Sequence, residues 1–89
     1  MTATTPKRYA SNDWQNVATG ADEFEVVADT LVEYAYGATA PTLPGRYPLI
    51  QPGEKHVANL PASRSMFVRP LNSLPPGGDY WVAVTSSAM

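Results

Sequence analysis

The sequence predicts an all-β fold, a small β-sandwich or squashed β-barrel of about six to seven short strands. Three observations predict it. Apolar residues recur with a period of two, as side chains do when they alternate across a sheet. No segment carries a helical period. Nine Pro and six Gly, spread over 89 residues, break the chain at intervals too short for a helix of any length.

The longest sheet-like stretch is Phe24 to Gly37, two runs rich in β-branched and aromatic residues with Asp29-Thr30 between them. Phe24, Val26 and Ala28 form the inward set of the first run, against Glu23, Glu25 and Val27. In the second, Val32, Tyr34 and Tyr36 share one face and Leu31, Glu33 and Ala35 the other. Asp29-Thr30 lacks the Gly of a good tight hairpin, so a hairpin and one bent strand crossing between sheets both remain open.

Residues 1–12 read as a flexible N-terminal arm, 13–86 as a single β domain and 87–89 as a short tail. Trp14 to Ala18 is a short first strand. Ala38 to Pro52 is too rich in Pro to hold a central strand and reads as a covering or interaction loop, with Tyr47 and Leu49-Ile50 available to pin it to the core. Gln51-Pro52-Gly53-Glu54 has Pro and Gly in type II turn order and feeds a strand ending at Leu60. In the next strand Met66 and Val68 share a face, while Phe67 and Arg69 share the other, where the ring needs cover from a loop or a partner. Tyr80 to Thr85 is apolar on both faces, which suits an interior strand of a sandwich or a strand between the sheet and a subunit neighbour. The expected core is Val26, Val32, Tyr34, Met66, Val68, Val82 and Val84.

Size and charge restrict function. A domain of this mass buries only about 60–65% of its extended surface. Without Cys, and with one His, it has neither a disulfide nor an ordinary structural zinc site to compensate. Partner subunits are the remaining device. The net charge is −2, and the basic residues Arg46, Lys55, Arg64 and Arg69 are dispersed, which argues against a nucleic-acid surface. No apolar run is long enough for a membrane helix, and no signal peptide is evident in the first residues.

No catalytic constellation emerges, and the chain is expected to be non-enzymatic, with no cofactor and no metal. His56 sits in a strand-like run beside Lys55 and reads as a surface or edge residue. The serines lack a nucleophile elbow, and Asp22, Glu23 and Glu25 have no calcium-loop pattern around them. Gly77-Gly78 opens no helix, so it is no phosphate loop. The aromatic residues read as core or subunit interface, or else as a ligand platform. Lys7, Arg8, Tyr9, Trp14, Tyr47, Phe67, Arg69, Tyr80 and Trp81 are the candidate interface residues.

Trp14-Gln15-Asn16-Val17, the Glu33 to Pro41 run, the Leu49-Ile50-Gln51-Pro52-Gly53-Glu54 turn and Met66-Phe67-Val68-Arg69 before a last hydrophobic strand resemble small β-structured virion proteins of tailed bacteriophages. The resemblance spans residues 14 to 85 in order, rests on turn-level patterns and brings no catalytic residue with it. It implies a capsid decoration or cement protein that binds and stabilises the phage head. A minor tail, connector or spike subunit is the alternative within the same class, and a small glycan- or protein-binding β module the alternative outside it. It further implies a homo-oligomer, with a trimer favoured, that binds the major capsid protein or another virion protein. Such a chain is made in the host cytoplasm and resides in the virion.

Overall fold

In a computed structural model, which describes residues 2–20, 22–42 and 45–87, the chain forms eight strands in two four-stranded antiparallel sheets. No helix occurs among the described residues. The strands are β1 (Thr2–Tyr9), β2 (Gln15–Thr19), β3 (Asp22–Ala28), β4 (Val32–Gly37), β5 (Leu49–Ile50), β6 (His56–Leu60), β7 (Ser65–Pro70) and β8 (Tyr80–Ser87). Sheet I has the order β1-β8-β3-β6 and sheet II the order β2-β7-β4-β5. Only the β4–β5 connection stays within one sheet; every other one crosses between the layers. This is a small β-sandwich, as the alternating pattern predicts.

The core lies where that pattern places it. Val26, Ala28, Val32, Ile50, Met66 and Val68 are fully buried, and Tyr80 and Val82 almost so. Tyr34 and Val84, expected in the core, pack against its margin and are half-buried. The interior position of β8, between β1 and β3, explains why both its faces are apolar.

Three expectations are corrected. Residues 2–9 are not a free arm: they form β1, which pairs with β8 from Thr2↔Ser87 to Tyr9↔Tyr80. Thr and Tyr favour the pleated backbone, and Pro6 is tolerated because β1 is an edge strand. The hairpin option at Asp29-Thr30 is also excluded, since β3 and β4 belong to different sheets. Asp29 anchors the departure: its N–H donates to the Trp81 carbonyl (3.2 Å), and its Oδ1 accepts from the Trp81 N–H (3.0 Å). In the proline-rich loop, Ile50 is in the core, but Leu49 is exposed and Tyr47 sits on the outside of sheet II.

Turn chemistry sets the corners. Glu54 N–H donates to the Gln51 carbonyl at 3.0 Å, with Gly53 at φ 78°, the positive value that the third position of a type II turn requires. Gly20 is needed for proximity: a Cβ there would strike the Pro61 carbonyl oxygen, while its N–H donates to the Arg64 carbonyl at 2.8 Å. That contact fixes the β2–β3 corner against the β6–β7 turn, and so one sheet against the other.

Candidate functional site

The candidate residues separate onto three parts of the sandwich. Two of them leave the surface. Tyr80 is 1% exposed and points inward from β8, its ring 5.6 Å from that of Tyr9. Burial, with Tyr9 adding to it, pushes the Tyr80 phenol up to about 12. Phe67 is 7% exposed although it faces away from the core. Its cover comes from its own chain, so no partner is needed there. Lys7 and Tyr9 turn toward β2 and line a cleft with Val17, Phe24, Val82 and Val84.

On the outer face of sheet II, Trp14, Tyr47 and Arg69 come together. The Trp14 and Tyr47 rings meet edge-on with centroids 5.1 Å apart. The Arg69 guanidinium carbon lies 4.5 Å from the Trp14 ring centre and 5.9 Å from that of Tyr47. Its Nε donates to Glu33 Oε1 at 2.6 Å, a pair set by the Glu33↔Arg69 register of β4 and β7. Glu33, expected on a wet face or at a subunit boundary, is buried by this arrangement. Arg69 thus holds the loop down through Tyr47 while it neutralises the buried carboxylate.

On the outer face of sheet I, cross-strand register builds an apolar strip. Trp81 stands beside Arg8, and Ala83 lies between Pro6 and Val27. Glu25 and Val57 pair across the β3–β6 boundary, Val57 being 51% exposed. Pro6, Lys7, Arg8, Trp81 and Ala83 surround a shallow depression of about 560 Å³. At its rim Arg8 reaches Asp79 at 3.4 Å, an exposed pair of small energetic weight.

A third group was not legible beforehand. His56, on edge strand β6, contacts Tyr36 of the opposite sheet through an Nε2···OH hydrogen bond of 2.5 Å, and its ring centre is 4.3 Å from that of Tyr34. Burial pulls the imidazole below its ordinary value, against a smaller opposing effect of Glu54. The shared face of Tyr34 and Tyr36 was visible in the sequence, but nothing in it brings His56 to that face. Trp14 and Trp81 lie on opposite faces of the sandwich, so they form no joint ring platform. Among the described residues no three of His, Asp and Glu converge as metal ligands would.

The class defined by this geometry is a small antiparallel β-sandwich with two dissimilar outer faces, one roofed by its own loop and one open. Comparison with protein-family models, with curated proteins and with solved structures found no match for the chain.

Proposed function

We propose that this chain is a non-enzymatic structural module that docks through the outer face of sheet I onto a larger protein assembly. Joined to the sequence resemblance, the reading becomes a head decoration protein of a tailed bacteriophage, bound to the capsid and stabilising it. The observation that supports docking is the apolar strip of Pro6, Trp81, Ala83 and Val27 on the outer face of sheet I, with Pro6 exposed and the other three half-buried. An apolar strip that includes a large aromatic and has charges at its rim has the anatomy of a protein-binding surface. Trp81 is its natural anchor, because a large rigid ring contributes area at little entropic cost.

The test is co-sedimentation of the purified chain with phage particles assembled without it, followed by electron microscopy to locate the bound copies. Trp81→Lys and Ala83→Glu both change outward side chains and leave the core set untouched. Each is expected to reduce binding at least about tenfold, the loss typical of an interface hot spot. Unchanged binding by both variants defeats the assigned surface. Failure of the unaltered chain to bind defeats the decoration reading.

A further inference from the structure

We infer that the chain associates with a second copy of itself through an arginine groove on sheet II, which takes the Glu25–Val57 pair from the outer face of the neighbour's sheet I. This contact is independent of whatever surface the assembly decorates.

The groove lies beside the roofed face of sheet II, has a volume of about 360 Å³, and is lined by Arg46, Tyr47, Arg69, Leu49 and Leu71, with Glu33 at its base. Arg69 is held before any partner arrives: Trp14 supports its face and Glu33 takes its Nε. The terminal guanidinium nitrogens donate no hydrogen bond to a described residue and the side chain is 35% exposed, so part of the fork is open to a ligand. An arginine already fixed in place loses little rotamer freedom on binding, and its planar fork matches a carboxylate. Glu33 cancels one positive charge and Arg46 supplies a second, so the groove keeps a net demand for an anion. Its apolar demand is equally plain, with Leu49 42% and Leu71 41% exposed. The chemistry that satisfies both is a carboxylate next to an apolar side chain.

The chain displays that combination on its other side. Glu25 and Val57 are direct cross-strand partners at the β3–β6 edge of sheet I, and Val57 is 51% exposed. Donor groove and acceptor pair occupy different faces, so one copy can engage two neighbours at once, head to tail. Such a heterologous contact grows into a ring where the rotation closes and a row where it does not. It also leaves the Trp81 half of sheet I uncovered.

The experiment is sedimentation equilibrium of the full chain over a concentration series, with thermal melts to verify that each variant folds. Arg46→Glu and Glu25→Arg reverse charges on the outside of the domain. Each is expected to weaken association at least about tenfold, because like charges then face each other. The two variants mixed in equal amounts, or combined in one chain, are expected to recover part of that loss, as opposite charges meet again at position 46 while Arg69 keeps its own charge. Trp81→Lys is expected to leave association unchanged. A chain that stays monomeric throughout, single reversals without effect, or a combination that fails to recover would each overturn the inference. Particle binding left unchanged by Trp81→Lys and Ala83→Glu, with association intact, would instead count against the docking surface alone.

Discussion

Replacing Tyr80 with Phe is expected to stabilise the protein. The ring is 1% exposed and packs beside Tyr9, yet its hydroxyl finds no hydrogen-bond partner among the described residues. A buried polar group without a partner costs about 1–3 kcal/mol, and Phe keeps the ring while removing that group. A gain of about 1 kcal/mol raises the melting temperature of a domain this size by about 4–8 °C. The alkaline limb gives an independent measurement. The folded phenol titrates at about 12 against an ordinary value of 10.0, so the native state holds its proton more tightly than the unfolded chain. Its contribution is therefore complete below pH 10 and is lost as pH rises through 12. At pH 11 that loss is about 1.4 kcal/mol, and Tyr80→Phe abolishes it, while Tyr9 and Tyr36, also raised by burial, leave a smaller residual slope. Urea unfolding at pH 7 and pH 11, followed by tryptophan fluorescence, reads both effects. A variant less stable than the parent at pH 7 refutes the reasoning and shows that the hydroxyl is hydrogen-bonded, while an undiminished alkaline slope shows that another group holds the proton.

Two further outcomes follow from the same geometry. Glu33→Leu alone strands the Arg69 guanidinium over Trp14 and Tyr47 and is expected to cost about 1–3 kcal/mol, discounted for the partial exposure of the arginine; Glu33→Leu with Arg69→Met should cost less than the sum of the single changes, which a double-mutant cycle in urea would show. His56 is depressed by burial, so its contribution is present above its unfolded value of 6.5 and is lost as pH falls below it; a melting temperature lower at pH 5 than at pH 7.5, with a reduced difference in His56→Ala and no change in particle binding, is the expected pattern.

The core was legible because burial on one face of a strand writes itself into every second residue: Val26 with Ala28, and Met66 with Val68, carry that signature. Tyr80 to Thr85 reveals an interior strand for the same reason, being apolar on both sides. β1 escaped notice because Thr, Pro, Lys and Arg at an edge show no apolar alternation; its place is set by pairing with β8 at the other end of the sequence. β5, only two residues long, is held by β4 rather than by any propensity of its own. Trp14, Tyr47 and Arg69 were each visible as candidates, but their convergence depends on the loop folding back across sheet II, and no local pattern encodes that. The burial of Tyr80 shows the opposite limit: the residue type marks interfaces and cores alike, and only the inward register of β8 decides between them.

The roof over sheet II changes how the stability of so small a domain is understood. Size and the absence of disulfides suggest that a partner must supply the missing burial, and Phe67 looks like the place where it would be supplied. Instead that ring is covered within its own chain, and Trp14, Tyr47 and the Arg69–Glu33 pair form a second, smaller cluster outside the main core. The sandwich thereby acquires a third layer on one side from its own chain. Sheet I carries no such cluster among the described residues, and its outer residues Val27, Trp81 and Ala83 are half-buried. On the docking reading proposed above, the part of the Trp81 ring that the fold leaves accessible is what a partner would cover.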